Sequence, residues 1–281
     1  MRFAQVRRDG RLTLAVKTDA GWVETPGTLA GAAANGIETP DGEPLHGPEF
    51  GPLLDHPGKI ICVGRNYSEH VNEMGNVESP WPETFLRLPN TVTGPYDEIK
   101  VPAVSSHVDY EGELAVVIGR GGRHIPAAEA EQAIFGYTIV NDVSIRDWQR
   151  RGQQWTPGKN FDGTLPVGPE LVTADELDWR DLKLETRVNG EIVQSATTAQ
   201  FIFDVPAVIE FVSSWLTLEP GDLICTGTPG GVGAARKPPL WLKPGDVVEV
   251  EIEGIGTLRN PVVADDRQPA TDRWSGVASE A

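Results

Sequence analysis

Three acids stand where chemistry could use them. The segment Asp109-Tyr110-Glu111-Gly112-Glu113 runs into Leu114-Ala115-Val116-Val117-Ile118, an apolar run that reads as a buried strand. Alternate side chains of a strand share a face, so Glu111 and Glu113 point the same way across a glycine. Two like charges side by side at the head of a buried run are costly unless a cation neutralises them. A third acid, Asp142, follows the next strand-like run, Tyr137-Thr138-Ile139-Val140, and an adjacent strand would deliver it beside the pair. Hard divalent cations such as Mg²⁺ take carboxylate oxygens. Spacing alone leaves a second reading open, since acids on solvated strand ends give the same pattern.

A different chemistry is written in Asn66-Tyr67-Ser68-Glu69-His70-Val71-Asn72-Glu73-Met74-Gly75. Asn66 with Glu69 fits a capping box and Gly75 a stop, which predicts a short helix with His70 and Glu73 on one face. A carboxylate beside an imidazole orients it and strengthens it as a base; an ordinary exposed helical pair is the plainer alternative. Lys159 lies between Gly158 and Asn160-Phe161-Asp162, where a lone lysine is usually surface decoration. Gly227-Thr228-Pro229-Gly230-Gly231-Val232-Gly233 looks superficially like a phosphate loop. It lacks the Lys-Ser/Thr ending of a P-loop and the spacing of a dinucleotide fingerprint, so nucleotide binding is not expected.

The elements that must hold these residues are mostly strands. Phe3-Ala4-Gln5-Val6 and Leu12-Thr13-Leu14-Ala15-Val16 flank Asp9-Gly10, a hairpin signal. From Glu24 to Pro57 the chain is weakly patterned and reads as the rest of a small N-terminal domain plus a linker. From Lys59 onward strand-like runs are frequent: 60–63, 114–118, 137–140, 182–188, 223–226 and 247–252. Asn189-Gly190 marks another hairpin. Two helices are expected, one from Pro126 to Phe135 and one capped by Asp204 with Pro206 in its first turn, running to about Trp215. No βαβ rhythm appears, which argues against a doubly wound parallel sheet. The expected organisation is a small N-terminal β domain and linker over 1–57, a larger domain over 58–264, and a polar, frayed tail over 265–281.

Composition narrows the partners. The 281 residues carry a formal charge of -17, from 24 basic and 41 acidic side chains. Such a surface repels phosphate backbones, so no nucleic-acid partner is expected. Cys62 and Cys225 both sit in apolar runs and read as small buried hydrophobes rather than a zinc site or disulfide scaffold. No apolar run is long enough to span a membrane, and the first ten residues lack the apolar stretch of a signal peptide. A cytoplasmic location is the expectation.

Several motifs in order make the pattern specific. Gly64-Arg65-Asn66-Tyr67 with His70, then Asp109-Tyr110-Glu111-Gly112-Glu113, then Asn141-Asp142-Val143-Ser144 with Arg146-Asp147, then Gly158-Lys159-Asn160-Phe161-Asp162, then Pro220-Gly221-Asp222 with Thr226-Gly227-Thr228-Pro229 resemble the fumarylacetoacetate hydrolase family from about Lys59 to Val263. The resemblance implies a mixed β-roll catalytic domain, a homodimer, and Mg²⁺ or Mn²⁺ held by Glu111, Glu113 and Asp142. Some members add a fourth carboxylate upstream of the histidine motif; the corresponding position here is Val63, so three protein ligands are expected. The resemblance makes His70 and Glu73 a catalytic dyad on a mobile lid continued by 75–82, and places Lys159 in the active site. Arg65, Arg87, Gln149 and Thr228 are the expected substrate contacts, with Arg146 lining the pocket or supporting the ligands. In Phe85-Leu86-Arg87-Leu88-Pro89 arginine replaces a lysine found in many members, exchanging a point charge for a planar fork.

The activity so implied is hydrolysis of a carbon-carbon bond in an acylpyruvate-like 1,3-diketo acid, with His70 activating water. Decarboxylation, or isomerisation and tautomerisation of a 2-oxo acid or diacid, could use the same site. A binding protein without turnover is less favoured, because binding needs no acid-base pair. The expected partner is a small 2-oxo acid.

Overall fold

The computed structural model describes residues 1–54 and 57–267. Among these residues an eleven-stranded sheet dominates. Its main path runs Gly21–Thr25, Arg11–Thr18, Arg2–Arg8, Leu165–Thr173, Ile134–Asn141, Gly112–Ile118, Leu223–Cys225, Ile60–Gly64 and Glu83–Arg87. Neighbours along it are antiparallel except Leu223–Cys225 against Ile60–Gly64, in keeping with the missing βαβ rhythm. A five-stranded sheet packs beside it, built from Glu191–Thr197, Lys183–Val188, Val247–Ile252, Gly256–Ala264 and Ile99–Val101. The architecture is mostly β with short helices, as the sequence predicts.

The strand Gly112–Ile118 is buried along its whole length because both faces are covered. Leu114, Val116 and Ile118 enter a core shared with Leu184, Val250 and Ile252 of the smaller sheet and with Val208, Ile209 and Val212 of the helix Val205–Trp215. Ala115 and Val117 face a second core with Phe3, Cys62, Val140, Leu171 and Cys225. Covering both faces of a strand removes any polar alternation, so its sequence is continuously apolar. Each fully buried Leu, Ile or Val contributes roughly 1.5–3 kcal/mol. The site strands are thus anchored from both sides.

Local signals work where the chemistry is local. Asp9 and Gly10 (φ 48° and 74°), and Asn189 and Gly190 (φ 54° and 83°), take the left-handed pairs that tight hairpins need. Asp204 accepts from the Ala207 amide at 2.9 Å and caps the helix Val205–Trp215. That helix turns Val205, Val208, Ile209 and Val212 inward, an apolar stripe at helical spacing.

Some local expectations are corrected. The helix expected from Pro126 to Phe135 ends early: Ala127–Ala130 is helical, Glu131–Ala133 is a 3₁₀ turn, and Ile134 already begins the strand Ile134–Asn141 that leads into Asp142. Pairing with Gly112–Ile118 overrides helical propensity there. The Asn66–Glu69 capping box does not form; Tyr67 occupies the N-cap of Ser68–Glu73 without a side-chain bond. Asn66 is fully buried and bonds instead to the Thr226 and Phe203 carbonyls, at 2.8 and 3.0 Å. The weakly patterned stretch after Glu24 contains the helix Leu29–Asn35, capped by Thr28. The N-terminal hairpin joins the main sheet, with Phe3 opposite Leu171. Cys62 and Cys225 are free, buried and directly opposite each other on neighbouring strands. No helix among the described residues is long and apolar enough to cross a membrane. Of the polar tail expected over 265–281, the part beyond 267 lies outside the described residues.

Candidate active site

Sheet register assembles the acids. Glu113 is opposite Val140 and Gly112 opposite Asn141, and the Asp142 amide donates to the Glu111 carbonyl at 2.8 Å. Oxygens of Glu111, Glu113 and Asp142 lie within 4.8 Å of one another, and all three side chains are buried. Gly112 between the glutamates faces the smaller sheet, where an added Cβ would fall 2.3 Å from Thr186 Oγ1 and 2.8 Å from Val250 Cγ1. Only glycine lets the two sheets approach here.

Buried cations partly balance the cluster. Arg146 donates to Asp109 at 2.8 Å and to Glu111 at 2.6 Å. Lys159 Nζ reaches Glu111 at 2.5 Å and Asp142 at 2.6 Å. Arg87 pairs with the other Asp142 oxygen and donates to the Thr164 carbonyl at 2.9 Å. Burial pushes the Glu111 pKa up, but Arg146 and Lys159 outweigh it and hold the carboxyl well below its usual range. Burial likewise disfavours the Lys159 ammonium, yet Asp142 and Glu111 raise its pKa.

Glu113 differs from its neighbours. Among the described residues it has no ion-pair partner and accepts only the Gly227 amide, at 2.9 Å. Burial, reinforced by the negative charge of Asp142 and Glu111, drives its pKa well above the ordinary value. A buried carboxylate aimed at two others, with no cation of its own, matches what a hard divalent ion requires. The donor set fits Mg²⁺ or Mn²⁺, with Glu111, Glu113 and Asp142 as ligands.

The His70–Glu73 pair forms as the helical spacing predicts. His70 Nδ1 lies 2.9 Å from Glu73 Oε1, and the second Glu73 oxygen accepts the Gly231 amide at 2.8 Å. With Nδ1 committed to Glu73, Nε2 is the ring nitrogen left for chemistry. His70, Lys159 and the three acids line one cavity of about 490 Å³.

The expected substrate contacts divide. Arg65, Gln149 and Thr228 line that cavity, whereas Arg87 does not. Arg87 is 2% exposed, and its guanidinium is taken up by Asp142 and Thr164, so it steadies a ligand rather than meeting substrate. Arg65 pairs with Glu83 at 3.2 Å and lies over the Trp155 ring. Gln149 accepts from Arg146 at 3.0 Å. The Thr228 hydroxyl is committed to the Gly112 carbonyl at 3.0 Å and to Gln194 at 2.8 Å.

Further buried polar residues support the acids. Asp109 is fully buried and accepts the Gly233 amide at 2.7 Å as well as Arg146. Asn141 Oδ1 holds the Glu111 amide at 2.9 Å, and Gln194 holds the Gly112 amide at 3.1 Å. The glycine-rich loop presents its amides to Glu113, Glu73 and Asp109, so it orients protein carboxylates. Added Cβ atoms at Gly231 and Gly233 would come within 2.1 Å and 2.0 Å of backbone oxygens. Asp109 and Asn141 flank the acids in sequence, which was the available signal; Gln194 had none.

The chain matches known proteins along most of its length. Residues 59–263 match the family model described as fumarylacetoacetate (FAA) hydrolase, C-terminal. The mitochondrial oxaloacetate tautomerase Fahd2a of Rattus norvegicus is 50% identical over 213 residues, spanning 75% of this chain and 68% of its own. A fumarylacetoacetate hydrolase from Exiguobacterium antarcticum superposes with a TM-score of 0.86 at 38% identity, over 94% of this chain and 100% of that one. A 5-carboxymethyl-2-hydroxymuconate delta-isomerase from Mycobacterium smegmatis gives 0.80 at 38% identity, over 95% of this chain and 100% of that one.

Proposed function

Since this chain belongs to the fumarylacetoacetate hydrolase family, we propose that it is a divalent-cation-dependent enzyme that interconverts the keto and enol forms of a 2-oxo acid. The observation that carries this reading is that His70, paired with Glu73, lines the same cavity as Glu111, Glu113 and Asp142. Tautomerisation requires a base beside the carbon next to the oxo group, and a site that tolerates negative charge on the oxo oxygen.

Glu111, Glu113 and Asp142 would hold a divalent cation, which would supply Lewis acidity for that oxygen, typically worth several kcal/mol. His70 Nε2 takes a proton from the carbon adjacent to the oxo group. Glu73, fixed by the Gly231 amide, holds the imidazole in place and stabilises its charged form. The proton returns to the oxygen, so water is neither consumed nor released. Lys159 bridges Glu111 and Asp142 and adds positive charge where the substrate's carboxylate arrives. The names of the tautomerase and isomerase relatives support this reading over carbon-carbon hydrolysis.

Hydrolysis of an acylpyruvate remains a second reading, favoured by the likeness to the Exiguobacterium hydrolase; the same dyad would then deprotonate water. The two are separated by following the ultraviolet absorbance of enol-oxaloacetate and, in parallel, the cleavage products of acylpyruvates. A tautomerase speeds equilibration with Mg²⁺ or Mn²⁺, loses this with a chelator, and leaves acylpyruvates whole. Acylpyruvate cleavage with oxaloacetate equilibrating at its spontaneous rate would overturn the proposal. The homodimer belongs to the same proposal, and sedimentation at micromolar concentration tests it.

A further inference from the structure

The cavity contains a positive charge that the chemistry above does not use. Four buried carboxylates, Asp109, Glu111, Glu113 and Asp142, face three buried cations, Arg87, Arg146 and Lys159. With a divalent ion in place the inner site carries one net positive charge, which one carboxylate of a 2-oxo acid satisfies. A second carboxylate on the substrate has to find its countercharge elsewhere on the wall.

Among the cations on that wall, Arg146 and Lys159 are tied to the acids, and Arg65 is matched by Glu83. Arg150 also lines the cavity. Its side chain is exposed and, among the described residues, engages no carboxylate or other hydrogen-bond partner. Its backbone is held, however. The Arg150 amide donates to the Arg146 carbonyl at 3.2 Å, closing the short helix Arg146–Gln149. That helix starts at the buried Arg146 and is capped by the exposed Arg150, and both residues line the cavity. Arg150 is therefore a fixed root with a free guanidinium, set on the outer side of the acid cluster.

We infer that Arg150 is the specificity residue that distinguishes a dicarboxylic 2-oxo acid from a monoacid. This rests on the 2-oxo acid reading of the site. The inner carboxylate and the oxo group face the acid cluster, and the distal carboxylate lies at the mouth, where the planar guanidinium binds it in a two-pronged contact. Arg65, already neutralised by Glu83 and lying over Trp155, shapes the wall without adding net charge.

Calorimetric titration of the Mg²⁺-loaded full chain tests this without relying on turnover. The probes are matched pairs in which a methyl group replaces the distal carboxylate: oxaloacetate with 2-oxobutyrate, and 2-oxoglutarate with 2-oxopentanoate. The wild type should bind at least one diacid more tightly than its partner. Arg150→Ala should weaken that diacid about tenfold, the loss of one charge-assisted contact, and leave the monoacid unchanged; Arg150→Lys should recover part of the loss. Equal weakening of diacid and monoacid, or none, would overturn the role of Arg150 while leaving the 2-oxo acid site standing. Failure of every probe to bind the wild type would remove the 2-oxo acid reading and this inference together.

Discussion

Gly227 donates its amide to Glu113 at 2.9 Å, and this is the single hydrogen bond that Glu113 accepts among the described residues. Glu111 and Asp142 are each held by buried cations, whereas Glu113 has a backbone amide and two negative neighbours. The cluster is therefore one cation short, at a defined carboxylate.

Replacing Glu113 by Gln tests that shortfall. The amide keeps the size and the acceptor for Gly227 but removes the charge. Mg²⁺ affinity should fall by more than about tenfold, measured calorimetrically. Burial lifts the folded-state pKa of Glu113 above its ordinary value of 4.5. Its contribution to metal-free stability is thus fully present below that value and lost as pH rises through the folded pKa. Metal-free Glu113→Gln should lack that loss, so its melting temperature should match or exceed the wild type's at neutral pH. A variant less stable than wild type at neutral pH, with unchanged Mg²⁺ affinity, would contradict this account.

His70→Ala should separate chemistry from binding. The three carboxylates stay intact, so Mg²⁺ affinity should change little. Turnover of oxaloacetate should fall on the order of a hundredfold or more if proton transfer limits the rate. Glu73→Gln should cost less, because the imidazole keeps a partner and loses only its charge. Full activity in His70→Ala would refute the dyad.

Gly112→Ala places a methyl against Thr186 Oγ1 and Val250 Cγ1. Overpacking of this kind typically costs 1–3 kcal/mol, and here it also pushes apart the strand bearing both glutamates. Denaturant unfolding should show the loss, with weaker Mg²⁺ binding alongside. Adding Thr186→Ala should restore part of both, a non-additivity expected of side chains in contact.

Arg87 connects Asp142 to Thr164. Arg87→Ala removes one of the two buried cations paired with the Asp142 carboxylate, the other being Lys159, and should destabilise the protein by up to about 3–5 kcal/mol. Arg87→Lys keeps the charge but not the fork, so it should be the milder change. Because Arg87 does not line the cavity, neither variant should alter the preference between diacids and monoacids in binding titrations, provided the folded protein is compared.

By itself the sequence determined the pieces whose signals are short-range. Alternation put Glu111 and Glu113 on one face, helical spacing joined His70 to Glu73, and Asp-Gly, Asn-Gly and the Asp204 cap set local turns and ends, since each depends on residues within a few positions. Tertiary structure decided everything that needed a partner distant in the chain. Asn66 could cap its own helix or bridge to the Thr226 and Phe203 carbonyls, and burial chose the bridge. Residues Ile134 and Phe135 could prolong a helix or begin a strand, and pairing with Gly112–Ile118 chose the strand. Arg87 looked like a substrate contact, and packing turned it toward Asp142; Arg150 carried no signal until the fold opened a cavity beside it. Local periodicity records which way a side chain points, but only the folded register decides what it meets there.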